Sequence, residues 1–306
     1  MWKRVLLAAL AVVAVALAAL AWTFRASDLE VGASAPPTLP PPVRTASVTV
    51  WALPSGQAEA RQGLAYRGGE LGQVITLEMA AVLLRHPEGD LVFDAGLGKN
   101  LEAHLETLPA IARRAMRVTR ERTVAEQLQR AGIVPAGIVL THAHWDHVSG
   151  VEDLPGVPVW VTQAERDFVD SGAEITALAR HIGTRDYRTL TFGSGPYLGF
   201  SESHDFFGDG TVVLVPAPGH TPGSVIAFLS PSDGSRYALL GDIAWQREGI
   251  EHPAERPWLS RQLADADAAA VRGLLVRLHQ LARAVPELVM VPAHDRRVLE
   301  RLPRLP

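Results

Sequence analysis

The sequence contains no cysteine. That absence excludes disulfides, thiolate metal ligands, a cysteine nucleophile and an acylated lipoprotein cysteine. It also suits an oxidising compartment, where a free thiol is a liability. A basic run is missing too. The chain has 29 Lys and Arg against 33 Asp and Glu, for a net charge of −4. No cluster of them is suited to a phosphate backbone, which argues against a nucleic-acid partner. No internal repeat is evident. One long stretch, Val5 to Ala21, lacks charge and polar side chains altogether.

Extended to Phe24, that stretch is about 20 residues, roughly 30 Å as a helix, or one hydrocarbon thickness. Lys3 and Arg4 precede it, so they stay in the cytoplasm and the bulk of the chain crosses. Residues 1–24 read either as a cleaved signal peptide, with Ala19-Leu20-Ala21 as the small-x-small site, or as an uncleaved membrane anchor. Both readings put the remainder in the periplasm or another extracytoplasmic space. Residues 25–45, with Pro36, Pro37, Pro40, Pro41 and Pro42, read as a linker spacing a domain from the membrane. Residues 46–306 then form that domain.

The densest chemistry lies in Thr141-His-Ala-His-Trp-Asp-His-Val-Ser-Gly150. His142, His144, Asp146 and His147 sit together just after an apolar strand candidate, residues 136–141. Imidazole and carboxylate are ligands for zinc and similar divalent ions. A strand end is where a sheet presents side chains to a cleft. Other polar residues follow short apolar runs in the same way: Gly219-His220-Thr221-Pro222-Gly223 after 212–215, Gly241-Asp242 after 237–240, and Pro292-Ala293-His294-Asp295 after 288–291.

These segments, in this order, resemble the signature of the metallo-β-lactamase superfamily over roughly residues 46–300. The resemblance implies an α/β fold, a four-layer αβ/βα sandwich. It implies two divalent metal ions, zinc first, with iron or manganese as alternatives. His142, His144 and His220 would hold one ion, Asp146, His147 and His294 the other, and Asp242 would bridge them. A hydroxide between the ions would attack a small-molecule lactone, ester or thioester, and Asp146 would act catalytically as a proton shuttle. Asp94, at the end of a strand, would support the ligating imidazoles; a helix N-cap is its other reading. Absent cysteine excludes lactamases with a cysteine ligand, and Asp242 points to the branch of lactonases and glyoxalase II-like thioesterases. Lactonases of acyl-homoserine lactones often carry Tyr three residues after the bridging Asp; here that residue is Trp245. Iron-dependent oxidoreductases resembling sulfur dioxygenases, and β-lactamase-like activity, are the alternatives on this fold. Trp145 either stacks on a substrate or packs.

Periodicity predicts strands at 47–53, 74–85, 91–94 and 159–161, and helices at 123–131, 163–170, 173–186 and 262–284. Residues 54–72 read as a loop and 101–122 as helix or lid. His86, His104, His181, His204, His252 and His279 read as surface residues.

Overall fold

The computed structural model describes residues 2–33, 37, 40, 47–110, 113, 116–182 and 186–305. Its strands are β1 (Thr49–Arg61), β2 (Val74–Arg85), β3 (Leu91–Phe93), β4 (Arg117–Arg120), β5 (Gly137–Val139), β6 (Val159–Thr162), β7 (Tyr187–Leu190), β8 (His204–Asp205), β9 (Val212–Pro216), β10 (Val225–Leu229), β11 (Arg236–Leu239) and β12 (Leu288–Val291). A seven-stranded sheet runs β4-β1-β2-β3-β5-β6-β7, and a five-stranded sheet runs β12-β11-β10-β9-β8. The β3, β5, β6 and β7 neighbours are parallel, as are β11 and β12; the other pairs are antiparallel.

Burial explains the apolar runs. In β9 and β10, Val212, Leu214, Val225, Ala227 and Leu229 meet Val82, Leu84, Phe93 and Val139 of the other sheet. The alternate residues Val213, Val215, Ile226 and Phe228 pack on Leu274, Leu275 and Leu278 of the helix Ala268–Ala284. Side chains alternate across a strand, so a strand covered on both faces reads as continuously apolar. On the outer face of the larger sheet, Ile138, Leu140 and Val159 pack on Leu101, Trp145, Val148 and Leu178. The layers are helix, sheet, sheet and helix, the expected αβ/βα sandwich.

Several expected elements differ. Residues 54–61 are not loop: β1 runs on to Arg61, through a register shift between Pro54 and Gly56. A bulge tolerates Pro54. A Cβ on Gly56 would strike the carbonyl of Thr119, so glycine there lets β4 pair closely. The expected helix or lid at 101–122 divides into a helix, Leu101–Glu106, and the edge strand β4. The expected helix 262–284 is two helices, Trp258–Ala264 and Ala268–Ala284, and the Asp267 carboxylate caps the second by accepting from Ala269 N and Ala270 N. The helix expected at 173–186 is a 3-10 turn, Glu174–Thr176, followed by Ala177–Ile182. The parts of the stretches 25–45, 101–122 and 173–186 that fall on the remaining positions lie outside the described residues.

The helix Trp2–Trp22 has no buried residue and is long and apolar enough to cross a membrane. The described residues after it are no free spacer. Gly68 N donates to Phe24 O at 3.0 Å and Leu29 N to Pro253 O at 2.9 Å. Arg67 Nε donates to Arg25 O at 3.2 Å, and Gln280 Nε2 to Gly32 O at 2.7 Å. Residues 24–32 are an arm laid on the domain.

Candidate metal centre

Chain turns at one edge of the two sheets bring the predicted residues together. Past β5, His142 and His144 lie two apart on extended chain, so both side chains face one side. His144 is extended (φ −74°, ψ 160°) and opens the short helix Trp145–Val148, which carries Asp146 and His147. His220 follows β9, Asp242 follows β11 and His294 follows β12. Parallel pairing of β11 with β12 sets the last two side by side, and Ala293 N donates to Gly241 O at 3.1 Å. Gly241 has φ 52°, a left-handed turn that glycine adopts without strain.

The seven side chains form two donor groups. One is His142, His144, His220 and Asp242; the other is Asp146, His147 and His294; within each, donor atoms lie within 4.8 Å of one another. All seven are buried. Asp242 faces both groups. Its Oδ2 is 3.5 Å from His220 Nε2, and its Oδ1 is 3.2 Å from His147 Nε2 and 3.0 Å from His294 Nε2. Asp146 Oδ2 is 3.3 Å from His294 Nε2.

The donor set fits divalent ions. His220 Nε2 lies 3.2 Å from His142 Nε2 and 2.9 Å from His144 Nδ1, so three ring nitrogens converge on one point. His147 Nε2 and Asp242 Oδ1 are buried without a hydrogen-bond partner. Buried polar atoms left unpaired are costly, and imidazole nitrogens with carboxylates aimed at common points are what zinc-like ions bind. Burial holds His142 and His144 well below the ordinary histidine value, reinforced by neighbouring imidazoles, so both are neutral at neutral pH. At His147 burial opposes the charged form, yet Asp94, Asp146 and Asp242 hold the pKa well above it. At His294, Asp242 likewise outweighs burial and raises the pKa. Asp242 is driven well down, against burial, by His294 and His147.

The second nitrogen of four rings is also engaged. Thr141 Oγ1 is 3.1 Å from His142 Nδ1, Asp94 Oδ2 is 2.8 Å from His147 Nδ1, Asp265 Oδ1 is 3.1 Å from His220 Nδ1, and Glu78 O is 2.8 Å from His294 Nδ1. Such partners fix ring orientation and raise ligand basicity. Asp94 also accepts from Thr141 N at 2.7 Å, and its φ is 58°. It caps no helix, so of its two sequence readings the support of an imidazole stands.

Three participants were missed in the sequence. Glu165 is fully buried; its Oε1 accepts from Ala143 N at 2.7 Å, and its Oε2 from Thr221 Oγ1 at 2.6 Å and Gly223 N at 3.0 Å. One carboxylate therefore ties the loop of His142 and His144 to the loop of His220. Asp265 and Arg256 form a buried ion pair beside His220. Both carboxylates lie next to polar, helix-forming residues and carried no local signal of burial. Trp145 packs in the core beneath the larger sheet. His86 and His104 are buried and not surface residues: His86 Nε2 pairs with Asp209 at 3.0 Å and His104 Nε2 with Glu152 at 3.1 Å.

Residues 80–294 match the family model of the metallo-beta-lactamase superfamily. The chain belongs to this superfamily. A probable metallo-hydrolase of Mycobacterium tuberculosis is 30% identical over 200 residues, covering 56% of this chain and 60% of the relative. This superfamily member therefore spans about 60% of the length of the mycobacterial protein it matches. A gamma-lactamase of Gibberella moniliformis is 31% identical over 170 residues, 50% of this chain and 70% of that one. Among solved structures, an N-acyl homoserine lactone hydrolase with the product N-hexanoyl-L-homoserine at its catalytic metal centre superposes with a TM-score of 0.65 at 17% identity, covering 84% of this chain and 97% of that one. A dizinc quorum-quenching lactonase has a TM-score of 0.56 at 17% identity, covering 88% and 90%. Those likenesses establish the shared superfamily fold.

Proposed function

We propose that this chain is a dinuclear metal-dependent hydrolase that opens a lactone, ester or thioester of a small molecule outside the cytoplasm. One observation carries the reading: Asp242 turns one oxygen to His220 and the other to His147 and His294. A carboxylate between two donor groups suits a bridge between two ions. When bound, a pair of divalent ions, zinc first and iron or manganese as alternatives, makes water nucleophilic near neutral pH and polarises a carbonyl. The seven residues that would hold them are His142, His144, His220, Asp146, His147, His294 and the shared Asp242.

The remaining tasks fall to the chain. Asp146 Oδ2, facing His294, takes the proton that the attacking water gives up and delivers it to the leaving oxygen or sulfur as the acyl bond breaks. Asp94, Asp265, Thr141 and the Glu78 carbonyl hold the rings in position beforehand, so little reorganisation is needed during reaction. A mononuclear iron oxidoreductase leaves His147 and His294 without a task. The gamma-lactamase relative favours a second substrate reading, a cyclic amide. In this proposal residues 46–306 are catalytic, and Trp2–Trp22 directs export as a signal peptide or inner-membrane anchor. The test is elemental analysis of the purified protein together with hydrolysis assays on lactone, ester, thioester, β-lactam and γ-lactam compounds. About two ions per chain and turnover of an acyl compound are expected. One ion or none at full loading overturns the dinuclear reading.

A further inference from the structure

Large apolar side chains stand in water on one part of the domain. In the helix Trp258–Ala264, Trp258 is 47% exposed, Leu259 40% and Leu263 67%. Leu259 and Leu263, four apart, share one helix face. This helix packs against the short helix Gln62–Ala65. Leu71 lies against Gly63 of that short helix and is 50% exposed. Val74, opposite Arg61 at the end of β1, is 52% exposed. Exposed large apolar side chains gathered on neighbouring elements of a folded domain mark a contact surface.

The foot of the apolar N-terminal helix is fastened beside this patch. Phe24, two residues past that helix, is bonded to Gly68, and Arg25 to Arg67, within the same segment as Leu71. Arg67 in turn pairs with Glu255, which Arg261 of the exposed helix also holds. At the end of the apolar helix, the Arg25 guanidinium lies 5.0 Å over the ring of exposed Trp22. An aromatic ring with a cation at the end of a spanning helix belongs at the membrane–water interface. Short hydrogen-bonded chain joins that level to the patch, with no spacer between.

Resting on the anchor reading of Trp2–Trp22, we propose that the face formed by Leu71, Val74, Trp258, Leu259 and Leu263 rests in the surface of the lipid bilayer that holds that helix. The bilayer covers the apolar side chains, as it does for interfacial amphipathic helices. The metal centre adjoins this face. Asp265, one residue past the exposed helix, holds His220, and Ala266 N donates to His220 O at 3.0 Å. Resting on the hydrolase reading of that centre, the arrangement selects amphiphilic acyl substrates taken from the bilayer.

The test uses the full chain in vesicles of phosphatidylcholine and phosphatidylglycerol. Because the sequence has no cysteine, Leu71→Cys, Leu259→Cys and Leu263→Cys each carry one spin label. Val134→Cys, in the turn before β5 and 85% exposed, is the water-facing reference. Labels at 71, 259 and 263 are expected to collide with a water-soluble nickel chelate at least about tenfold less than the label at 134, and more often with oxygen dissolved in lipid. Equal collision rates overturn the proposal. Shielding from nickel without the gain from oxygen also overturns it, because protein then covers the face. A second arm compares esters: Leu259→Asp with Leu263→Asp is expected to lower turnover of a bilayer-embedded long-chain ester about tenfold relative to a soluble short-chain ester. An unchanged ratio overturns bilayer uptake. If the wild type hydrolyses neither ester, the ester-hydrolase reading fails while the label result still decides the face.

Discussion

Trp245 donates its indole N–H to Asp242 Oδ2 at 2.9 Å. Its ring lies under the Arg256 guanidinium, 5.0 Å from the centroid, and Arg256 Nη1 donates to Asp242 O at 2.8 Å. The residue that faces both donor groups is thus held by its own carboxylate and its own carbonyl.

Asp242→Asn keeps the shape and removes the charge and one anionic oxygen. Metal occupancy should fall and kcat should drop at least about a hundredfold, the scale of losing a central electrostatic element. The fold should survive, because the β11 strand before it is anchored by apolar packing. Trp245→Phe, which loses the indole donor and part of the ring under Arg256, should keep its metal and change kcat or substrate choice. Two ions and wild-type turnover in Asp242→Asn, read by elemental analysis and kinetics, exclude it as the bridge.

Glu165→Gln places an amide where one carboxylate accepts three hydrogen bonds. At about 1–3 kcal/mol for each buried donor left unpaired, it should lower thermal stability measurably. It should also weaken metal binding at His142, His144 and His220 more than at Asp146, His147 and His294, since it spans only the former loops. Competitive metal titration reads this difference; equal weakening at both groups rules out a clamp on one.

Acid should strip the two donor groups separately. In the metal-free chain His147 and His294 have raised pKa values, so each tends to hold a proton that a metal must displace. His142 and His144 are depressed and compete only at lower pH. As pH falls from neutral, the ion at Asp146, His147 and His294 should therefore leave first. Equilibrium dialysis across pH shows two steps on this view, and simultaneous loss of both ions contradicts it. For the metal-free fold the signs are opposite. The raised pair stabilises below about pH 6.5, an effect lost as pH rises through their folded values, whereas the depressed pair costs stability below about pH 6.5.

Removing residues 1–22 should leave a chain that folds and binds metal, because Trp2–Trp22 has no buried residue. In cells the truncated protein should stay in the cytoplasmic fraction. Failure to fold or to hold metal means that the apolar helix supports the domain.

The seven residues that converge were legible in sequence because each follows a short apolar strand, and the strands were legible because burial on two faces leaves few polar positions. Glu165, Asp265 and Arg256 were not. They act through contacts with residues far off in sequence, such as Glu165 with Gly223, and their own neighbours look like ordinary solvated helix. The break at Asp265–Asp267 was hidden by leucines that keep helical spacing across it. Leu263, inside the expected helix 262–284, stands in water.

Val225 N donates to Thr141 O at 3.0 Å, and Glu78 N donates to His294 O at 3.2 Å. These bonds sew one sheet to the other beside the donors, between segments as far apart as Glu78 and His294, 216 residues along the chain. Contacts of such sequence separation form late, after the loops between them have been closed. His142, His144, Asp146 and His147 are neighbours in one short segment, but His220, Asp242 and His294 do not join them until both sheets exist. On the dinuclear reading, the complete set of seven donors is therefore a property of a nearly finished molecule, and a chain caught half-folded offers only the local four.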